Sequence, residues 1–123
     1  MKYSEKFQAL ADAAMDKLES VQPDKVDMLV KKGAILLDIR DPDEHAISHI
    51  VGSLNISRGK LEMNVEQMIP ELGITVLCYC NANNRGALSA ATLQSMGYLN
   101  ATYIAGGLND YRAISNNLRG VQE

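Results

Sequence analysis

The sequence predicts an α/β fold in which a largely parallel sheet is flanked by helices. Short apolar runs, typical of buried parallel strands, alternate along the chain with segments of helical periodicity. Parallel strands need crossover connections, which are usually helices, so this alternation indicates repeated strand-helix units. The chain has 123 residues, 46% of them hydrophobic, which is enough for one compact core and too short for two ordinary domains.

The N-terminal segment is predicted to be an amphipathic helix. Apolar residues recur at helical spacing from Ser4 to Val21, and the opposite face of this segment is charged. Gln22-Pro23-Asp24 then interrupts the pattern. We therefore divide the chain into a helical extension at residues 1–22 and one globular domain at residues 23–123.

The remaining elements alternate in type, and their limits are marked by caps and turn residues. Asp41-Pro42 has the character of a helix N-terminus, and Gly97 stands where a helix C-terminus is expected. The predicted strands are residues 34–39, 52–56, 74–79 and 101–104. The predicted helices are a short one that ends at residues 31–33, followed by residues 43–49, 61–69, 85–96 and 108–118.

The charge balance gives no reason to expect nucleic acid or an anionic membrane as a partner. The formal net charge is −3, and charged residues make up 22% of the chain. The chain has neither a secretory leader pattern nor a run of about 18 apolar residues. A cytoplasmic protein is expected, with any anion bound at a local site.

Cys78 and Cys80 are the two cysteines of the chain. Their spacing disfavours a structural disulfide, and two ligands are too few for a structural zinc site. His45 and His49 have i, i+4 spacing but no third ligand nearby, so we expect neither a metal nor another cofactor. Cys78 lies inside a predicted strand and is interpreted as a core residue, with a resolving thiol as the alternative.

Cys80 lies between a predicted buried strand and a predicted helix. Unpaired backbone N–H groups and the helix dipole stabilise an anion at such a place, which favours the thiolate. Arg85 follows five residues later and can add a second positive contribution. The loop between them is free of competing negative charge and can surround an oxyanion; it consists of Asn81, Ala82, Asn83 and Asn84.

Several segments, taken in order, resemble one family. Asp38-Ile39-Arg40 with the stretch that begins at His49-Ile50, the Cys-x-x-x-x-Arg loop, and the later Gly97-Tyr98 and Gly106-Gly107 pairs are similar to motifs of the rhodanese-like domains. The resemblance extends from about Asp24 to Arg112. It implies a three-layer α/β domain, with a central, mostly parallel sheet and helices on both faces, plus the extra N-terminal helix.

The resemblance also implies a sulfurtransferase that needs no cofactor. Cys80 would take sulfane sulfur from a small anionic donor such as thiosulfate and pass it, as a persulfide, to a thiol or cyanide acceptor; a protein acceptor is possible. Arg85 would bind the anion or brace the loop. The other residues expected to bind substrate are Asn81, Ala82, Asn83, Asn84, Gly86 and Arg58. For Arg58, a solvated surface position without a role in binding is an equal alternative. The residues expected to support the site are Asp38, Arg40, Glu44 and His49.

Two rival functions follow from the same residues. A phosphatase or an arsenate reductase on this fold also uses cysteine and arginine around an oxyanion loop. The related phosphatases have His-Cys and five residues before the arginine, whereas here Tyr79 precedes Cys80 and four residues intervene. The second rival is a non-catalytic interaction module, or a sulfur carrier that serves one protein partner.

Overall fold

A computed structural model describes residues 2–120, which contain six short strands. Four of them form a parallel sheet in the order β3-β1-β4-β5, and the other two, β2 and β6, form a separate antiparallel pair. The strands are β1 (Ile35–Asp38), β2 (His49–Ile50), β3 (Leu54–Asn55), β4 (Val76–Tyr79), β5 (Ala101–Tyr103) and β6 (Leu118–Arg119).

Six α-helices connect or flank these strands. The connections between the parallel strands run through helices, as parallel pairing requires. No helix within residues 2–120 has both the length and the apolar content needed to cross a membrane. The helices are α1 (Glu5–Lys17), α2 (Val26–Lys31), α3 (Pro42–Ile47), α4 (Leu61–Met68), α5 (Asn84–Ser95) and α6 (Gly107–Ile114), and short 3₁₀ turns precede α2 and α4.

Helices cover both faces of the parallel sheet, so the predicted three-layer architecture is confirmed. Side chains alternate between the two faces along β4. Cys78 packs into a core with residues of α1, α4 and α5, whereas Leu77 and Tyr79 pack into a second core with residues of α2 and α6. All four residues of β4 are buried, which explains their apolar character.

The predicted closing helix is too long at its C-terminal end. Helix α6 ends at Ile114, and Leu118 lies in β6, where it pairs with Ile50 of β2. Leu118 packs against the second core from this strand. The antiparallel pair was not predicted, because each of its strands has only two residues and no periodicity.

The predicted N-terminal helix is also too long. Helix α1 begins after Ser4, whose hydroxyl accepts a hydrogen bond from the Phe7 N–H at 3.2 Å, and it ends at Lys17. Val21 instead lies beside the sheet edge. Its N–H donates to the carbonyl of Tyr103, and its carbonyl accepts from Ala105, both at 2.8 Å. These two backbone bonds favour extended chain over another helical turn.

Candidate active site

Cys80 directly follows β4, at the edge of the sheet where the carboxyl ends of the parallel strands meet. Its side chain points toward the beginning of α5, and the backbone N–H of Gly86 donates to Sγ at 3.4 Å. Only 3% of Cys80 is exposed, yet the residue lines a pocket. Cys80 thus borders the pocket while remaining almost fully buried, and a backbone amide donor lies beside its sulfur.

The pocket beside Cys80 has a volume of about 510 Å³. This volume lies in the range of pockets that bind small organic molecules. Its lining combines the loop after β4 and the beginning of α5 with residues of α3, α6 and the N-terminal segment that ends in the first turn of α1. The lining residues are Tyr3, Phe7, Glu44, Cys80, Asn81, Ala82, Asn84, Arg85 and Asn109.

The turn at Gly106 and Gly107 holds the loop after β4 in place. The N–H of Leu108 donates to the carbonyl of Cys80 at 2.8 Å, and the N–H of Gly106 donates to Oδ1 of Asn83 at 2.8 Å. Gly107 has φ +58°, and a Cβ on it would lie 2.4 Å from the carbonyl oxygens of Cys80 and Ala82. A residue without a side chain is therefore needed for this close approach.

Asp38 and Arg40 form a buried ion pair beneath the loop. The Asp38 carboxylate accepts from Nε of Arg40 at 3.0 Å and from Nη2 at 2.8 Å. Burial lowers the pKa of Arg40, but hydrogen bonding to Asp38 and the charge of Asp38 outweigh this and leave that pKa raised. Nη1 of Arg40 donates to Oδ1 of Asn81 at 3.1 Å, so the pair braces the loop.

Arg85 lines the pocket, but its guanidinium is paired with Glu44. Nη1 and Nη2 donate to the two carboxylate oxygens at 3.0 and 3.2 Å. This contact raises the pKa of Arg85 and lowers the pKa of Glu44. Glu44 also accepts from the Asp41 N–H at 3.0 Å, at the beginning of α3. Arg85 therefore ties the loop to α3.

The other predicted residues fall into different places. Asn84 and Gly86 lie at the beginning of α5, where Gly86 contacts the sulfur and Asn84 lines the pocket. Arg58 does not line the pocket, because its guanidinium donates to Glu62 at 3.2 Å and to Thr92 at 3.0 Å. Nδ1 of His49 lies 2.7 Å from the carbonyl of His45, in a packing and hydrogen-bonding position.

Cys78 is buried and does not line the pocket. Burial raises the pKa of its thiol, so this sulfur stays protonated. Both cysteines are free thiols. Within residues 2–120, no cluster of three or more histidine, cysteine or carboxylate side chains could hold a metal ion.

Sequence reasoning missed four residues at the pocket. Tyr3 lines it from the segment before α1, Phe7 from α1 and Asn109 from α6. Gln8 exchanges two hydrogen bonds with the side chain of Asn84, at 3.0 and 3.3 Å. No local pattern identifies these residues, because each meets the loop only through tertiary contacts.

Comparison with known proteins agrees with this arrangement. The family model for the rhodanese-like domain matches residues 22–114. The chain belongs to the rhodanese-like domain family. The matched part of this rhodanese-like chain extends from just before α2 to the end of α6, and it includes Cys80 and Arg85.

Two curated relatives are thiosulfate sulfurtransferases. The chain is 27% identical to the enzyme GlpE of Pseudomonas fluorescens over 99 residues, which cover 80% of this chain and 89% of the relative. It is 31% identical to PspE of Escherichia coli over 74 residues, which cover 60% of this chain and 70% of the relative.

One solved structure shares almost the whole architecture. It is a protein of unknown function, described as a possible tyrosine phosphatase, from Rhodopseudomonas palustris. The TM-score is 0.79 at 28% identity, and the match covers 92% of this rhodanese-like chain and 93% of that one. The structural match therefore covers more of the chain than residues 22–114, the part that the family model matches.

Proposed function

We propose that this protein is a sulfurtransferase that moves sulfane sulfur through a persulfide on Cys80. The observation that carries the proposal is the position of Cys80, which lines a pocket and whose sulfur accepts a hydrogen bond from the Gly86 N–H at 3.4 Å. An anionic donor such as thiosulfate, the substrate in the names of two relatives, suits such a site. The proposal includes a cytoplasmic location, because a reducing compartment keeps thiols free.

The first step of the proposed reaction is displacement at sulfur. The thiolate of Cys80 attacks the outer sulfur of thiosulfate and forms a new S–S bond. The S–S bond of the donor breaks, and sulfite leaves with its electron pair. The persulfide keeps one negative charge on its outer sulfur, where backbone N–H groups of the loop stabilise it.

The second step returns the enzyme to its starting state. A thiolate or cyanide attacks the outer sulfur, the S–S bond of the persulfide breaks, and the electron pair returns to Cys80. The products are an acceptor persulfide or thiocyanate. No oxidant or reductant is consumed in either step.

We assign the loop residues to two tasks. Gly86, together with the pocket-lining residues Ala82 and Asn84, surrounds the donor and the persulfide. Arg85 has a positioning role, since both of its terminal nitrogens are already hydrogen-bonded to Glu44. We assign the same positioning role to four further residues, whose hydrogen bonds hold the loop: Asp38, Arg40, Asn81 and Asn83.

Mass spectrometry after incubation with thiosulfate tests the proposal. Wild-type protein should gain the mass of one sulfur atom on Cys80, and cyanide should remove it as thiocyanate. Cys80→Ser should gain none. Cys78→Ala is the matched control, and it should gain sulfur as the wild type does, because Cys78 does not line the pocket. Alanine is chosen because a serine hydroxyl would be buried there.

Two outcomes would contradict the proposal. Equal loss of sulfur loading in both cysteine variants would show that Cys80 is not the specific carrier. Hydrolysis of an aryl phosphate without sulfur loading would instead assign the site to phosphoryl transfer.

A further inference from the structure

Two aromatic rings lie beside the pocket of Cys80, that of Tyr3 just before α1 and that of Phe7 in its first turn. Tyr3 and Phe7 line the same pocket as the sulfur. Their ring centroids are 5.2 Å apart and the ring planes are tilted by 44°. Tyr3 is 44% exposed, although it is a large apolar side chain. The two residues, called here the aromatic wall, thus offer apolar surface to a molecule in the pocket.

The aromatic wall is held at a defined place relative to Cys80. Ala11 and Ala14 are buried where α1 packs against α5. The side chain of Gln8, next to Phe7, exchanges two hydrogen bonds with Asn84 of the loop. Because these hydrogen bonds join α1 to the loop itself, the aromatic wall and the sulfur belong to one site.

The charged side chains of the pocket add little net attraction for an anion, so binding of an anionic group is left to the amides of the loop. Among the described residues that line it, one is a carboxylate, Glu44, and one is a guanidinium, that of Arg85. These two groups pair with each other at 3.0 Å and so cancel. Besides hydrogen bonds to the asparagine side chains of the lining, burial of apolar surface is then the main source of binding free energy that side chains can add.

We propose that Tyr3 and Phe7 are specificity-determining residues, which favour sulfur donors that carry an aromatic group over inorganic thiosulfate. This inference rests on the sulfurtransferase function proposed above. The anionic end of the donor lies at the loop amides beside Cys80, and its aromatic ring packs on the wall. Arylthiosulfonates have this chemistry.

The reaction with an arylthiosulfonate is balanced in the same way as that with thiosulfate. The Cys80 thiolate attacks the outer sulfur, and an S–S bond forms. The bond between the outer sulfur and the sulfonyl sulfur breaks, and the arylsulfinate leaves with the electron pair. The enzyme is left as the same persulfide, so the acceptor step is unchanged.

The test compares kcat/KM for benzenethiosulfonate and for thiosulfate, with cyanide as the acceptor. The two donors have different leaving groups, so the decisive quantity is the change in their ratio between variants. Phe7→Ala and Tyr3→Ala should each lower kcat/KM for benzenethiosulfonate by roughly 2- to 12-fold, the range of one aromatic-aromatic contact. The value for thiosulfate should change far less.

Leu10→Ala is the matched control. Leu10 lies on the same helix, is 63% exposed and does not line the pocket, so its removal tests α1 without touching the wall. This variant should leave the donor ratio unchanged. Inhibition by benzenesulfinate, measured against inhibition by sulfite, gives a second readout, which Phe7→Ala should weaken and Leu10→Ala should not.

The outcomes separate this inference from the proposed function. If wild-type protein accepts sulfur from thiosulfate while Phe7→Ala and Tyr3→Ala leave the donor ratio unchanged, the aromatic wall does not select the donor. An equal loss for both donors also overturns the inference, since it indicates a general effect on the site. If neither donor loads Cys80 in the wild type, the sulfurtransferase function fails and the inference fails with it.

Discussion

Gly107 offers the sharpest test of how the fold holds the loop that follows Cys80. In Gly107→Ala the new Cβ would lie 2.4 Å from the carbonyl oxygens of Cys80 and Ala82, so these carbonyls must move. The left-handed backbone at φ +58° adds a conformational cost of about 1–2 kcal/mol for alanine. Crowding in a packed site typically costs about 1–3 kcal/mol. We expect unfolding free energy to fall by about 2–5 kcal/mol.

Gly52→Ala separates the two contributions. Gly52 also has a left-handed backbone, at φ +84°, but a Cβ on it would meet nothing within 4 Å. Urea unfolding should therefore show only the conformational cost in this variant, about 1–2 kcal/mol. The remaining difference between the variants measures the contact with the loop.

Sulfur loading from thiosulfate reports on the loop itself. Displacement of the Cys80 carbonyl stretches its 2.8 Å hydrogen bond from Leu108, so Gly107→Ala should load sulfur more slowly than the wild type. Gly52→Ala should load at the wild-type rate. Equal destabilisation of the two variants, together with normal loading of Gly107→Ala, would refute the idea that this turn positions Cys80.

Two further predictions concern charged groups around the loop. Asp38→Asn breaks a fully buried pair with Arg40 and should lower unfolding free energy by about 3–5 kcal/mol in urea, whereas exposed Asp16→Asn should change it by no more than about 0.5. The hydrogen bond from Arg85 lowers the pKa of Glu44, so the unfolded state binds the proton more readily and the pair adds stability above the ordinary pKa of 4.5. Glu44→Gln should therefore lower the unfolding free energy by about 0.5–1 kcal/mol at pH 7, a small amount because the ion pair is partly exposed. The difference between this variant and the wild type should shrink as the pH falls below 4.5. A difference that grows on acidification would contradict the assignment.

The sequence by itself determined the layered α/β architecture and the position of the thiol within it. A buried strand needs a continuous apolar run, and a helix on a sheet needs an apolar stripe, so both leave a pattern in neighbouring residues. Cys80 stands between such a run and such a stripe. Its place at the carboxyl edge of the sheet follows from that local order.

Segments with weak local preference were predicted less well. The apolar spacing of Leu108, Tyr111 and Ile114 continues to Leu118, but β6 forms there because Leu118 pairs with Ile50 of β2. Val21 similarly leaves the helical pattern to bond with Tyr103 and Ala105. In both places, backbone bonding to a partner distant in the chain outweighs a helix preference of a few tenths of a kcal/mol per residue.

Only the tertiary structure decided which groups surround the sulfur. Arg85 is five residues from Cys80, yet its guanidinium meets Glu44, which is 41 residues away. Gln8 meets Asn84 across 76 residues and brings Phe7 to the pocket. Side-chain pairing and pocket shape depend on how separate elements pack, and no periodicity in the sequence encodes those distances.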